Sequence, residues 1–483
     1  MPEKLAIPVG DGAVLAALLH RAGPEPAPVV VTITPYRKES GQFEDLTRTV
    51  LDAGCHHLVA DARGFGASTG PYEGVLSPRE IEDGAELLEW TADQVFCTGR
   101  TALAGGSYSG INQLLIATRK PRGLRCVTPW IAPTDTYRDM WKRGGIPSHT
   151  AWGAGAFLNA QRAATRKAGL RHFYVDLLES EFDGDLFHRT SVDFAELVTP
   201  ALFVGGWRDY FLRGTVRGFA SSAAPKRLFV GNWSHEPTVG PELAAELAAW
   251  FGFWLRDEGP DPTEDNVRLA VFGTDEWETL AALPEPTWDT WSPVAEPVEV
   301  PVAEGLATTP FAPPTTVPLV VDLATGSGMR LWGELAAFDL PITEPTRLLG
   351  QVGLTAALDV EGCGDADLHA RISLVRDGEA TQVTEGRLRL SHRAVDRERS
   401  VLAPDGGVVV PWHPHDRAEP LPAGPFTADV EIYPVHLHLE PGDVLRLGVT
   451  LTRADESTSD IRARVLPGTA VRLPTVPRCG GEP

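Results

Sequence analysis

The chain is poor in cysteine. Its five cysteines, Cys55, Cys97, Cys126, Cys363 and Cys479, are odd in number and widely scattered. They form no CxxC pair and no zinc-finger spacing, so a disulfide framework and a Cys-based metal site are excluded, and reduced thiols in a cytoplasmic protein are expected. Clustered positive charge is also lacking. Against 65 Asp and Glu stand only 43 Lys and Arg, a net charge of −22. Nucleic-acid binding needs basic side chains to neutralise phosphates, so that class is excluded. No apolar run is long enough to span a bilayer, which argues against a membrane protein. The N-terminus, MPEKLAIPVGDGAVL, has no basic segment followed by an apolar one, so no secretory signal is expected. No internal repeat of fixed period is visible.

What remains is an ordinary globular mixture, 43% hydrophobic and 22% charged, in 483 residues. At about 100–200 residues per domain, two or three domains are expected. The first half alternates buried-strand runs with helix signals. The strands read APVVVTITP (27–35), HHLVA (56–60), TALAG (101–105) and LRCVTP (124–129). Between them, Gln42–Asp52 and a segment from Ser77 to Trp90 read as helices. The second opens on Ser77-Pro78-Arg79-Glu80, a capping box with proline at the first helical position. A helix from Tyr108 to Thr118 follows the third strand. This order predicts a mostly parallel sheet covered by helices on both faces. Residues 135–195 interrupt the alternation and read as a helical cap. It resumes with ALFVGGW (201–207), RLFVGNW (227–233) and a helix over Glu242–Arg256. From about Val267, short strand-like runs alternate with Pro- and Gly-rich turns, beginning with VRLAVFG, as in an antiparallel sandwich or jelly roll. The expected division is 1–134 and 196–262 for one α/β domain, 135–195 for its insertion, and 263–483 for the β domain.

The chemistry-bearing feature is Gly105-Gly106-Ser107-Tyr108-Ser109-Gly110, between a strand and a helix. A nucleophilic serine at such a turn needs small neighbours and stands at the C-terminal edge of the sheet. A Gly-Ser turn can also be only a turn. A serine nucleophile needs a base, and the base needs an orienting acid. Asp209 follows ALFVGGW and His235 follows RLFVGNW, both beyond strand ends on the same sheet edge, in the chain order Ser, Asp, His. The backbone N–H of Tyr108 is one candidate oxyanion donor. A second is expected from Thr34-Pro35-Tyr36-Arg37-Lys38, as the Arg37 N–H or the Tyr36 phenol.

These residues resemble the cocaine esterase and X-Pro dipeptidyl-peptidase family of serine hydrolases (CocE/NonD type). GGSYSG is similar to its nucleophile elbow, GGWRDYF to its acid motif, GNWSH to its histidine motif and TPYRK to its oxyanion loop. DARGFGASTG (61–70) and EPGDVLRLGVT, near the C-terminus, resemble further stretches of the family. The resemblance implies an α/β-hydrolase domain with an inserted helical cap and a C-terminal all-β jelly-roll domain. It implies Ser107, His235 and Asp209 as a catalytic triad and selects the Tyr36 hydroxyl, with the Tyr108 N–H, as oxyanion donor. The expected reaction is hydrolysis of an ester or amide of a small acyl or aminoacyl substrate. Acyl transfer to a non-water acceptor, X-Pro dipeptide release and a non-catalytic binding protein on this scaffold stand as alternatives.

Trp141, Trp152, Phe157, Phe173, Tyr174 and Trp207 are candidates for lining a substrate pocket, with core packing the competing role. Asp176, Glu179, Glu181, Asp183 and Asp185 could hold an α-ammonium group or form a solvated face. Arg37, Lys38 and Arg63 could bind an anion; alternatively, Arg63 and Asp61 brace the loops. Arg208, next to Asp209, could act on the acid or face solvent. His149, His172 and His188 lack metal-site spacing, so no metal and no cofactor are expected. A small ester or amide is the expected partner, and homo-oligomerisation is left open.

Overall fold

The computed structural model describes residues 1–148, 176–177, 179–235, 239–303, 335–455 and 460–477. Most of the expected cap, including Trp152, Phe157, Phe173, Tyr174, His149 and His172, lies outside the described residues, as does Cys479.

A ten-stranded sheet organises the first half. Its strands are β1 (Glu3–Pro8), β2 (Val14–His20), β3 (Ala27–Thr34), β4 (His56–Asp61), β5 (Cys97–Gly106), β6 (Leu124–Trp130), β9 (Ala201–Gly206), β10 (Lys226–Gly231), β11 (Val267–Ala270) and β12 (Trp277–Leu280); β7 (Lys142–Arg143) and β8 (Ile146–Pro147) form a separate hairpin. The spatial order is β1-β2-β4-β3-β5-β6-β9-β10-β11-β12. From β4 to β11 neighbours run parallel, and β1, β2 and β12 join antiparallel at the ends. β3 and β4 are buried along almost their whole length, as parallel strands covered on both faces must be. The described α-helices include α1 (Glu44–Asp52), α2 (Pro78–Ala92), α3 (Tyr108–Ala117), α4 (Asp185–His188), α5 (Leu212–Ser221) and α6 (Pro241–Arg256).

The six expected strands and four long helices are present. Several features differ from expectation. The strands β1 and β2 add to the expected sheet; the Leu- and Ala-rich run VLAALLH of β2 fits a helix as well as a strand. Val267–Ala270, expected to begin the jelly roll, instead pairs parallel with β10 and extends the α/β sheet. Ser77 caps α2 as predicted, accepting from the Glu80 N–H. The Glu80 side chain does not turn back to complete the box; it accepts a hydrogen bond from the Tyr108 hydroxyl at 2.7 Å.

The second half forms an eleven-stranded, mostly antiparallel, curled sheet. Its longest strands are Thr346–Glu361, Ala366–Arg376, Glu379–Arg389, Phe426–Leu439 and Val444–Arg453. One continuous apolar core joins the two sheets. The described part of the insertion is a helical turn over Thr136–Trp141, the β7–β8 hairpin and α4, so it is not wholly helical. Arg213 on α5 ties these parts together. Its guanidinium donates to Asp139 of the insertion at 2.6 Å and to Glu431 of the second sheet at 2.8 Å. Such a buried network is costly to break, because removing one partner leaves an uncompensated charge. No described helix is long and apolar enough to cross a membrane.

Candidate active site

β5 delivers Ser107 at its C-terminal end, and α3 begins at the next residue. Ser107 has φ 55° and ψ −119°, a sparsely populated backbone conformation for a residue with a side chain. Such strain costs on the order of 1–3 kcal/mol and persists only where surrounding bonds impose it. Here the Ser107 N–H donates to the Trp130 carbonyl at 3.0 Å, and its own carbonyl accepts from Gly110 at 2.8 Å and Ile111 at 3.0 Å. Two glycines make the turn sterically feasible. A Cβ on Gly105, at φ 147°, would stand 2.7 Å from the Ser109 Cβ, and one on Gly110 would stand 2.7 Å from the Trp130 carbonyl oxygen.

β9 and β10 lie beyond β6 and run parallel to β5, so the loops after them open at the same sheet edge as the serine. Ser107 Oγ lies 3.0 Å from His235 Nε2, and His235 Nδ1 lies 2.8 Å from Asp209 Oδ1. The Asp209 side chain is fully buried, while His235 keeps 15% exposure, enough for access to its outer face. The imidazole is held by two aromatic rings. Tyr210 stacks on it with centroids 4.0 Å apart, and Phe211 meets it edge-on at 5.2 Å.

The loop after β3 brings in Tyr36. Its hydroxyl is hydrogen-bonded to the Ser107 side chain and accepts from the Tyr108 backbone N–H. Burial raises this phenol above its ordinary value, and the two hydrogen bonds oppose the rise. The loop is anchored from below. Asp61, at the end of β4, accepts from the Lys38 N–H at 2.8 Å, from Lys38 Nζ at 2.8 Å and from the Ala67 N–H at 2.8 Å. Arg37 takes a left-handed conformation at φ 73° with its side chain outward.

These sequence motifs match known families over most of the chain. Residues 11–237 match the profile of the X-Pro dipeptidyl-peptidase (S15 family), and residues 262–455 match that of the X-Pro dipeptidyl-peptidase C-terminal non-catalytic domain. The chain belongs to the CocE/NonD, X-Pro dipeptidyl-peptidase-like family. It is 27% identical over 352 residues to a cocaine esterase of Rhodococcus sp. (strain MB1 Bresler). That match covers 59% of this chain and 60% of the relative. Among solved structures, a CocE/NonD family hydrolase from Staphylococcus aureus superposes with TM-score 0.78 at 20% identity, covering 98% of this chain and 93% of the other. An α-amino acid ester hydrolase superposes with TM-score 0.73 at 15% identity, covering 99% and 96%. At these identities the structural likenesses establish the fold.

In this member of the CocE/NonD family, other expected site residues have structural employment. Trp207, expected at the pocket, is buried, and its indole N–H donates to the Ala270 carbonyl at 2.7 Å. A buried indole needs such an acceptor, and this one fastens the acid loop to β11. Trp141 packs with Tyr137, Leu177 and Phe187 in a small core of the insertion. Lys38 is spent on Asp61 and Glu39, and Arg63 is buried between Asp83 and Asp11, so both brace loops. Asp183 binds Arg138 at 2.7 Å and His188 at 3.1 Å, a structural use of one cap carboxylate. The Arg208 guanidinium lies over the Phe272 ring, 5.4 Å from its centroid.

Tyr210, Phe211 and Glu80 were missed by sequence reasoning. The first two stand directly after Asp209 in GGWRDYF, so the signal was adjacent. Glu80 carried only a capping signal. Burial pushes its carboxyl up to about 8; the Tyr108 hydroxyl opposes this and the nearby Asp83 adds to it.

Proposed function

We propose that the protein is a serine hydrolase that cleaves an ester or amide of a small acyl or aminoacyl substrate through an acyl-enzyme. The observation that carries this reading is the continuous relay from Ser107 Oγ to His235 Nε2 at 3.0 Å and from His235 Nδ1 to Asp209 at 2.8 Å. With Asp209 accepting from Nδ1–H, the neutral imidazole presents its Nε2 lone pair to the serine.

In the first half-reaction His235 takes the Ser107 proton as Oγ bonds to the substrate carbonyl carbon. The tetrahedral oxyanion is held by the Tyr108 N–H and the Tyr36 O–H. The Tyr36 hydroxyl already reaches the Ser107 side chain and accepts from the Tyr108 N–H, so both donors stand beside the nucleophile before the charge develops. Collapse breaks the bond to the leaving group, and His235 Nε2–H protonates it. In the second half-reaction His235 removes a proton from water, which attacks the acyl-enzyme, and Ser107 regains its proton as the acid departs. Asp209 holds the imidazole orientation and stabilises the imidazolium formed twice per cycle.

A panel of p-nitrophenyl esters, aminoacyl anilides and β-lactam side-chain substrates, with Ser107→Ala as blank, tests the proposal. Turnover of at least one class by the wild type and none by the variant is expected. Equal turnover by both proteins would overturn it.

A further inference from the structure

Glu278, His436 and His438 converge at the seam between the two sheets. Each offers one ligand atom, and these atoms all lie within 4.8 Å of one another. Glu278 comes from β12 of the first sheet, and both histidines come from one face of Phe426–Leu439 of the second, two residues apart. His436 Nε2 is 3.1 Å from Glu278 Oε2, and His438 Nε2 is 3.0 Å from Glu278 Oε1.

A neutral His436 ring would meet Glu278 with a lone pair. Its Nδ1 lies 3.0 Å from the Ala270 carbonyl oxygen, which only accepts, so Nδ1 carries hydrogen. In the neutral ring Nε2 is then a lone pair, and it faces a carboxylate oxygen that also only accepts. The ring is buried. A metal ion would take that lone pair as a ligand, with a Glu278 oxygen and His438 Nε2 within reach of the same point.

The outer contacts also suit a metal. Metal-bound imidazoles characteristically donate their other N–H to a carbonyl or carboxylate, and ligating carboxylates are themselves hydrogen-bonded. His436 Nδ1 has the Ala270 carbonyl, and Glu278 Oε2 has the Arg347 guanidinium. Arg347 is held from behind by the Pro477 carbonyl at 2.8 Å, so it partners Oε2 and leaves Oε1 directed at His438.

We propose that Glu278, His436 and His438 bind one divalent transition-metal ion, Zn2+ in class, with the two Nε2 atoms and one Glu278 oxygen as ligands and water completing the set. Two imidazoles and a carboxylate suit Zn2+ and Co2+ rather than the oxygen-seeking Mg2+ and Ca2+. The ion clasps β12 to the second sheet. It also braces the acid loop, because the Ala270 carbonyl that accepts from His436 accepts from Trp207 too, two residues before Asp209. Spacing in the sequence could not reveal this set, because its carboxylate lies 158 residues from His436.

Full-length protein stripped with a chelator and titrated with Co2+ tests the site. The wild type is expected to bind one equivalent by elemental analysis, with the visible absorption of four-coordinate Co2+, and Zn2+ is expected to raise its thermal midpoint. His438→Gln, at a partly exposed position that tolerates the change, and Glu278→Gln should each weaken Co2+ binding by at least about tenfold and abolish the Zn2+-dependent rise. Absence of a stoichiometric Co2+ site in the wild type would overturn the proposal. So would equal affinity in the wild type and both variants, which would assign the binding to surface carboxylates.

Discussion

Tyr210 stacks face to face on His235, with ring planes 22° from parallel and centroids 4.0 Å apart. The residue after the acid thereby fixes the plane of the base. Aromatic pairs contribute roughly 0.5–1.5 kcal/mol beyond their area burial. Tyr210→Ala is therefore expected to lower kcat roughly two- to tenfold, with Tyr210→Phe restoring it. Steady-state kinetics of both variants check this. An alanine variant with wild-type kcat would show that the two hydrogen bonds and Phe211 orient the imidazole without Tyr210.

The Tyr36 hydroxyl meets both Ser107 and the Tyr108 N–H. As an oxyanion donor it makes its full contribution only in the transition state. Tyr36→Phe should then lower kcat by a factor of about 10²–10³, or about 2.7–4 kcal/mol, with little change in KM. A kcat within a factor of about two of wild type would assign Tyr36 a packing role.

Glu80 links stability to pH. Its folded-state value of about 8 lies above its ordinary 4.5. The folded state therefore holds the proton more tightly, and Glu80's contribution to stability is fully present below 4.5 and is lost as pH rises through about 8. Glu80→Gln keeps a neutral acceptor for the Tyr108 hydroxyl. Guanidinium unfolding of both proteins across this window should show the wild type losing stability relative to the variant as pH rises. Parallel curves would contradict a protonated Glu80.

Much of this site was legible in the sequence because its parts are local. Ser107 follows its strand directly and Asp209 and His235 stand within a short loop of theirs, and a parallel sheet brings such strand ends to one edge. Tyr36 was legible only by family resemblance, since nothing local distinguishes a phenol that donates from one that packs. The sequence leaves Trp207 between pocket and core, because burial of an indole depends on a carbonyl 63 residues away. The same limit hid Glu80, whose partner lies on α3, and misassigned Val267–Ala270, whose apolar run suits either sheet. Non-local pairing decided each of these, and periodicity carries no record of it.

The account rests on Ser107 as the nucleophile. Intact-mass analysis after treatment with a fluorophosphonate probe, followed by peptide mapping, tests it most directly. The wild type should gain one adduct, located on Ser107, and Ser107→Ala should gain none. An adduct on the variant, or one mapped to another residue of the wild type, would contradict it.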